Sequence, residues 1–213
     1  SIDAKPNILR GVRSFFWHPI TRFSELLSVP THGNWNEVAA LHPVIDIDII
    51  DKNKNDLLDF WDECYPILSD VSKILTDNEL DFQMIFSGNG WYFLLRKITI
   101  QENTYGEENR EFFNKVARGI SLWMKKNIQS LQEKHKHFHI DIRDPNMMQF
   151  VKTPFSLHQR FDRSAIPVSM DLLNGLSKTD FQELCSPFNM KTNYSELVKL
   201  LGNKQINTKQ SML

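Results

Sequence analysis

From Leu41 the chain reads LHPVIDIDII, with apolar and acidic residues alternating and Ile45, Ile47 and Ile49 on one parity. A period of two predicts a strand with one buried face. Asn53 to Asp56 then supply capping side chains, and Leu57, Phe60, Trp61, Cys64, Leu68, Val71 and Leu75 recur at helical spacing. They predict a helix laying one face over the sheet. DFQMIFSGNGWYFLLRKITI reads as two strands joined by a turn at Gly88, Asn89 and Gly90, where positive φ is cheap for glycine and tolerable for asparagine. Glu107 to Glu133 reads as one long amphipathic helix. Its buried side would carry Phe113, Val116, Ala117, Ile120, Met124, Ile128 and Leu131, and its basic end Lys125, Lys126 and Lys134. HFHIDI predicts another alternating strand and MMQFVK a further one, with short helices near Lys178 to Leu184 and Tyr194 to Leu201.

This order, strand, helix, hairpin, helix, strand, predicts an α/β or α+β fold, a sheet with helices largely on one face. No internal repeat or low-complexity tract interrupts it. The 213 residues, 41% hydrophobic and 24% charged, suit one compact unit or two small lobes sharing a core. No apolar run approaches the roughly 18 residues that a membrane helix needs, so no membrane partner is expected. Cys64 and Cys185 are too few for a disulfide framework or a four-cysteine zinc site, which favours a reducing compartment. A formal net charge of -1 means that any nucleic acid would be held by local basic patches. The absent initiator methionine and the polar tail GNKQINTKQSML read as a piece cut from something longer.

The candidate chemistry begins at Asp46 and Asp48. Two residues apart on a strand, they project from the same face, opposite to the isoleucines. Paired carboxylates repel unless a cation neutralises them, and hard oxygen ligands suit magnesium or manganese. The bland alternative is an acidic solvated strand face. His137, His139 and Asp141 share one parity on the later strand, so Asp141 could complete a three-carboxylate site or simply guard a strand edge. SGNGWY places a hydroxyl and several backbone amides on a glycine turn that phosphate oxygens could approach, or it is a hairpin turn and nothing more. KTPFSLHQR, Lys152 to Arg160, gathers lysine, serine, histidine and arginine after a strand, with Pro154 fixing the turn. Such donors suit a polyphosphate lying between them and the carboxylates. Taken alone, they also fit a basic surface loop.

In this order the segments resemble the catalytic core of archaeo-eukaryotic primases and primase-polymerases. VIDIDII stands where that family has Asp-x-Asp on a hydrophobic strand, SGNGWY where it has its serine-bearing glycine turn, and HIDI where it has hydrophobic-Asp. FVKTPFSLHQR looks like the Lys-x-Pro-x-Ser-x-His stretch of the primase small subunit. The resemblance spans about Leu41 to Val168. It implies a catalytic core over 41–170 with an RRM-like antiparallel or mixed sheet, an N-terminal extension over 1–40 packed on it, and a C-terminal helical segment over 171–213. It implies Asp46, Asp48 and Asp141 as catalytic metal ligands for two Mg2+ or Mn2+ ions. Ser87, Gly88, Asn89, Tyr92, Lys152, Ser156, His158 and Arg160 would contact the nucleotide. Single-stranded DNA template and nucleoside triphosphates would be the partners, with a helicase or further subunit alongside, in the cytoplasm or in a nuclear or viral replication compartment. Tyr92 stands where the family usually has histidine, and the cysteine-rich zinc module of many relatives is missing, so no zinc is expected.

Three other readings compete. A primase-like domain kept only for DNA binding is suggested by Tyr92 and the modest charge. A replication-initiator nicking endonuclease would use His137 and His139 on a metal and Tyr194 as nucleophile, with Lys199 nearby, but leaves Asp46 and Asp48 unexplained. A phosphatase with Asp46 as nucleophile and Asp48 as acid wants a threonine-like residue where Ile50 stands.

Overall fold

The computed structural model describes residues 16–17, 20–22, 38–41, 43–52, 54–95, 98–99, 107–142, 151–152, 154–189 and 195–200. Its strands in chain order are β1 (Phe16–Trp17), β2 (Ile20–Arg22), β3 (Val38–Leu41), β4 (Val44–Ile49), β5 (Phe82–Phe86), β6 (Gly90–Leu95), β7 (Ile98–Thr99), β8 (Phe138–Asp141), β9 (Val151–Lys152) and β10 (Ile166–Val168). The helices are α1 (Trp61–Asp77), α2 (Glu107–Ile128), α3 (Leu131–Lys134), α4 (Met170–Leu173) and α5 (Lys178–Leu184), and residues 195–200 are also helical.

Five strands form an antiparallel sheet in the order β10-β5-β6-β4-β8. The alternation of β4 appears directly in its burial, with Ile45, Ile47 and Ile49 sealed and Asp46 and Asp48 half-buried on the other face. The sealed face meets Cys64, Ile67, Leu68, Val71 and Leu75 of α1, Met124 and Ile128 of α2, and Phe181 of α5 in one apolar cluster. Phe86, Trp91 and Phe181 stack within it, their ring centroids 4.9 to 5.6 Å apart. The fold is thus α+β, with helices on one face. Leu173, Phe181, Cys185 and Leu197 bury in the same cluster, so the C-terminal helices share this core.

Local structure departs from the sequence pattern at three places. Asp56 accepts the Leu58 N–H and caps a 3-10 turn over Leu57–Phe60, so the α-helix itself starts at Trp61. The long helix predicted over Glu107 to Glu133 ends at Ile128, and α3 restarts at Leu131. The break lets Gln129 Nε2 donate to the Ile140 carbonyl at 3.1 Å and Gln132 Oε1 accept the Ile140 N–H at 2.8 Å. Those amides satisfy the outer edge of β8, which has no further strand beside it among the described residues. Past β6, Ile98 and Thr99 pair with Leu41 and Ala40, in a three-stranded sheet of order β2-β3-β7. Among the described residues no helix is long and apolar enough to cross a membrane.

Candidate active site

Antiparallel register gathers the carboxylates. Asp46 stands directly opposite Asp141 on β8 and Tyr92 on β6, while Asp48 stands opposite His139 and Gly90. Residues opposite each other share a face, with Cα atoms about 4.5 to 5.5 Å apart. Three aspartates from two neighbouring strands therefore line the side of the sheet away from the core. Space beside them is tight: a Cβ on Gly90 would lie 2.6 Å from Asp48 Oδ1 and 3.0 Å from the Ile47 carbonyl oxygen.

Tyr92 lies between this acidic strand and the glycine turn. Burial pushes its phenol above the ordinary tyrosine range, and the charges of Asp46 and Asp48 push it further. Hydrogen bonds to Ser87 and to the Lys152 backbone pull weakly the other way, so the ring offers a neutral hydroxyl. Ser87 is buried, with its N–H and its hydroxyl both donating to the Gly90 carbonyl at 2.8 and 3.1 Å. Gly88 has φ +104, and a Cβ there would lie 2.6 Å from His158 Cβ. The imidazole of His158 thus packs on the glycine turn.

The basic segment is a hairpin-like loop. Phe155 N–H donates to the Ala165 carbonyl, Ala165 N–H to the Ser156 carbonyl, and His158 N–H to the Arg163 carbonyl, at 2.6 to 2.8 Å. Phe155 takes φ +66 where the chain turns into it after Pro154. Arg160 and Phe161 N–H groups both donate to His158 Nδ1, at 3.1 and 3.2 Å. The neutral ring therefore carries its proton on Nε2, the nitrogen suited to donate to an anion. Lys152 is buried, and burial lowers its ammonium pKa to about 8. Ser156 is buried too, whereas Arg160 is exposed and donates to the Lys52 carbonyl at 3.1 Å.

Several of the expected residues are also tied into the surrounding structure. Asn89 is engaged in structure: its Oδ1 accepts the Leu57 N–H at 2.8 Å and its Nδ2 donates to the Lys52 and Asn55 carbonyls. His137 precedes β8, and its Nδ1 lies 2.7 Å from Glu63 of α1, with its ring 5.0 Å from Phe60. It is therefore drawn toward the helices and does not pair with His139; Tyr194 lies outside the described residues. Arg163 was not legible as a site residue. It is buried, its guanidinium takes both oxygens of Asp56 at 2.6 and 2.5 Å, and the bond spans 107 positions with no local sign in either segment.

Among the described residues no group of three or more His, Cys, Asp and Glu side chains is drawn together closely enough to hold an ion as it stands. In type, carboxylate donors of this kind suit a hard divalent cation. Three carboxylates share a face, and the Lys52 ammonium already touches Asp48 Oδ2, a positive charge at the mouth of the site.

No protein-family model matches the chain, and no curated protein matches it in sequence. Among solved structures it is similar to the polymerase domain of Ligase D from Mycobacterium tuberculosis, in complex with DNA, at a TM-score of 0.51 and 16% identity. The alignment covers 90% of this chain and 62% of that one. The fold is primase-polymerase-like. The expected α+β core, with its antiparallel sheet flanked by helices, is the one observed.

Proposed function

We propose that this chain is a DNA-templated nucleotidyltransferase, a primase or primase-polymerase that makes or extends primers on single-stranded DNA. The observation that carries the reading is the register of β4, which sets Asp46 opposite Asp141 and Asp48 two residues along, beside the SGNG turn. In the reaction, a primer 3′-hydroxyl attacks the α-phosphorus of a nucleoside triphosphate in line, and pyrophosphate leaves. Asp46, Asp48 and Asp141 would hold Mg2+ or Mn2+, which activates the hydroxyl and neutralises charge on the phosphates. Lys152, His158 through Nε2–H, Ser87 and Arg160 would donate to the triphosphate, with Ser156 and the Gly88 backbone close by. Tyr92, opposite Asp46, hydrogen-bonds Ser87 and the Lys152 backbone and so links the acids to the glycine turn and the basic segment. The Lys52 ammonium at Asp48 Oδ2 would compete with an ion for that oxygen.

The test is synthesis on single-stranded template by purified protein with magnesium or manganese, with ribonucleotides or deoxynucleotides, with and without a primer. The expected result is product from the native chain and none from Asp46→Ala with Asp48→Ala, a loss of at least roughly a thousandfold. Equal synthesis by the double variant would sink the reading. The Lys52 contact with Asp48 and the uncharged Tyr92 favour a second reading, a primase-like domain that binds DNA without synthesis. Tight binding of single-stranded DNA, with no incorporation of any nucleotide, is its signature.

A further inference from the structure

Three segments bearing site residues meet at one end of the sheet: the loop after β4, the Ser87–Asn89 turn between β5 and β6, and the 155–165 hairpin that leads into β10. Arg163 touches all three. Its guanidinium holds Asp56 of the first through two bonds, and donates to the Gly88 carbonyl of the second at 3.3 Å. In the third, its carbonyl accepts the His158 N–H at 2.8 Å. Its guanidinium also lies over the Phe161 ring at 4.7 Å, and that ring stands 5.3 Å from the imidazole of His158. Phe161 in turn gives its N–H to His158 Nδ1.

The pair is ill suited to be mere stability. A part-buried ion pair of this kind contributes little net free energy over an apolar pair of similar volume, because desolvation offsets the attraction. Asn89 already ties the β4 loop to the glycine turn, and the apolar core lies across the sheet. What an apolar pair could not supply is direction. A planar guanidinium held by two carboxylate oxygens and a carbonyl fixes angles as well as distances. Burial raises the Asp56 carboxyl, but hydrogen bonds from Arg163 and Leu58, with the charges of Arg163 and Lys178, hold it below its ordinary range, so the pair stays ionised at neutral pH.

We infer that Arg163, braced by Asp56, is a positioning residue that sets His158 against the Gly88 turn and fixes its Nε2–H tautomer for binding the nucleotide's phosphates. The inference rests on the nucleotidyl-transfer reading for its purpose, but the tautomer and the turn can be read without activity. Arg163 touches no substrate; it acts through His158 and Gly88.

The experiment compares the native chain with Arg163→Lys, Arg163→Met and Asp56→Asn, each first shown to fold by circular dichroism and a cooperative melt. Ring 15N shifts of His158, assigned with His158→Gln, report the tautomer directly. The expected native signature is Nε2–H with an unprotonated Nδ1, degraded to a tautomer mixture in Arg163→Met. If synthesis is present, KM for the nucleotide should rise on the order of tenfold in Arg163→Met with a smaller change in kcat, and Arg163→Lys should recover only part of it. An unchanged His158 spectrum in folded Arg163→Met overturns the inference whether or not the enzyme is active. A native chain that makes no product, yet shows the tautomer and its loss, overturns the synthetic function and leaves the positioning supported. Should Arg163→Met not fold, Arg163→Lys and Asp56→Asn carry the same spectral test, and both matching the native spectrum overturns it.

Discussion

Strand β4 has two faces one residue apart, and the sheet treats them oppositely. Ile45, Ile47 and Ile49 share one apolar cluster with the covering helices, where an apolar residue of the right volume would serve. Asp46 and Asp48 meet Asp141, Tyr92, Gly90 and His139, where each residue type is constrained by charge, hydrogen bonding or lack of a side chain. The first face is held by quantity of contact and the second by placement. Substitutions on the two should therefore separate stability from chemistry.

The largest effect on stability is expected from the dry face. Ile47 is fully buried at the centre of the sheet, between Trp91 and Ile140. Ile47→Ala removes buried methyl and methylene groups and leaves a cavity, a loss of about 2 to 5 kcal/mol. Denaturant or thermal melts measure it. One position earlier, Asp46→Ala relieves repulsion among neighbouring carboxylates and should leave the melting temperature unchanged or higher while abolishing synthesis. If Asp46→Ala destabilised as much as Ile47→Ala, the distinction between the faces would collapse.

The same division explains what the sequence revealed. Period-two alternation in VIDIDI and FHID, and the α1 stripe from Cys64 to Leu75, made the sheet and its cover legible, because burial repeats with local geometry. Ile67, a fully buried α1 position, does not stand out in the sequence because Pro66 beside it sits exposed inside the helix, and the Gln129–Ser130 break was hidden because helical periodicity carries across it. The carboxylate face was legible as residue types in order. Its arrangement was not, since the opposition of Asp46 and Asp141 depends on register between strands far apart in the chain. Asp56 and Arg163 were out of reach for the same reason: nothing in KNDLL or DRSAI signals a partner.

Between the extremes stands Gly88, where the hairpin of the basic loop rests on the sheet. Its φ of +104 is a conformation that residues with a side chain rarely adopt, and His158 atoms lie within 2.6 to 2.8 Å of where a Cβ would go. Gly88→Ala should cost about 1 to 3 kcal/mol from backbone strain alone. It should also push His158 away and raise KM for nucleotide. A variant that loses stability with no change in nucleotide binding would show that the contact between turn and histidine has no part in the site.

The smallest expected effect is the one that joins the faces in a single group. Lys152 is buried like a core residue yet carries a charge, and burial lowers its pKa from the usual lysine range to about 8. Between about pH 8 and that range the unfolded chain binds more protons than the folded one, so stability should rise with pH across the window. Below it, the folded state bears the cost of a buried ammonium at all pH values. Affinity for an anion should move the other way, falling as pH climbs through 8 and the charge is lost. Lys152→Met should flatten both trends, raising stability near neutrality and weakening nucleotide binding there. Melts and nucleotide titrations from pH 7 to 10 on both chains measure the difference. Parallel curves for native and variant would mean that Lys152 keeps its proton throughout and belongs with the fixed charges of the acidic face.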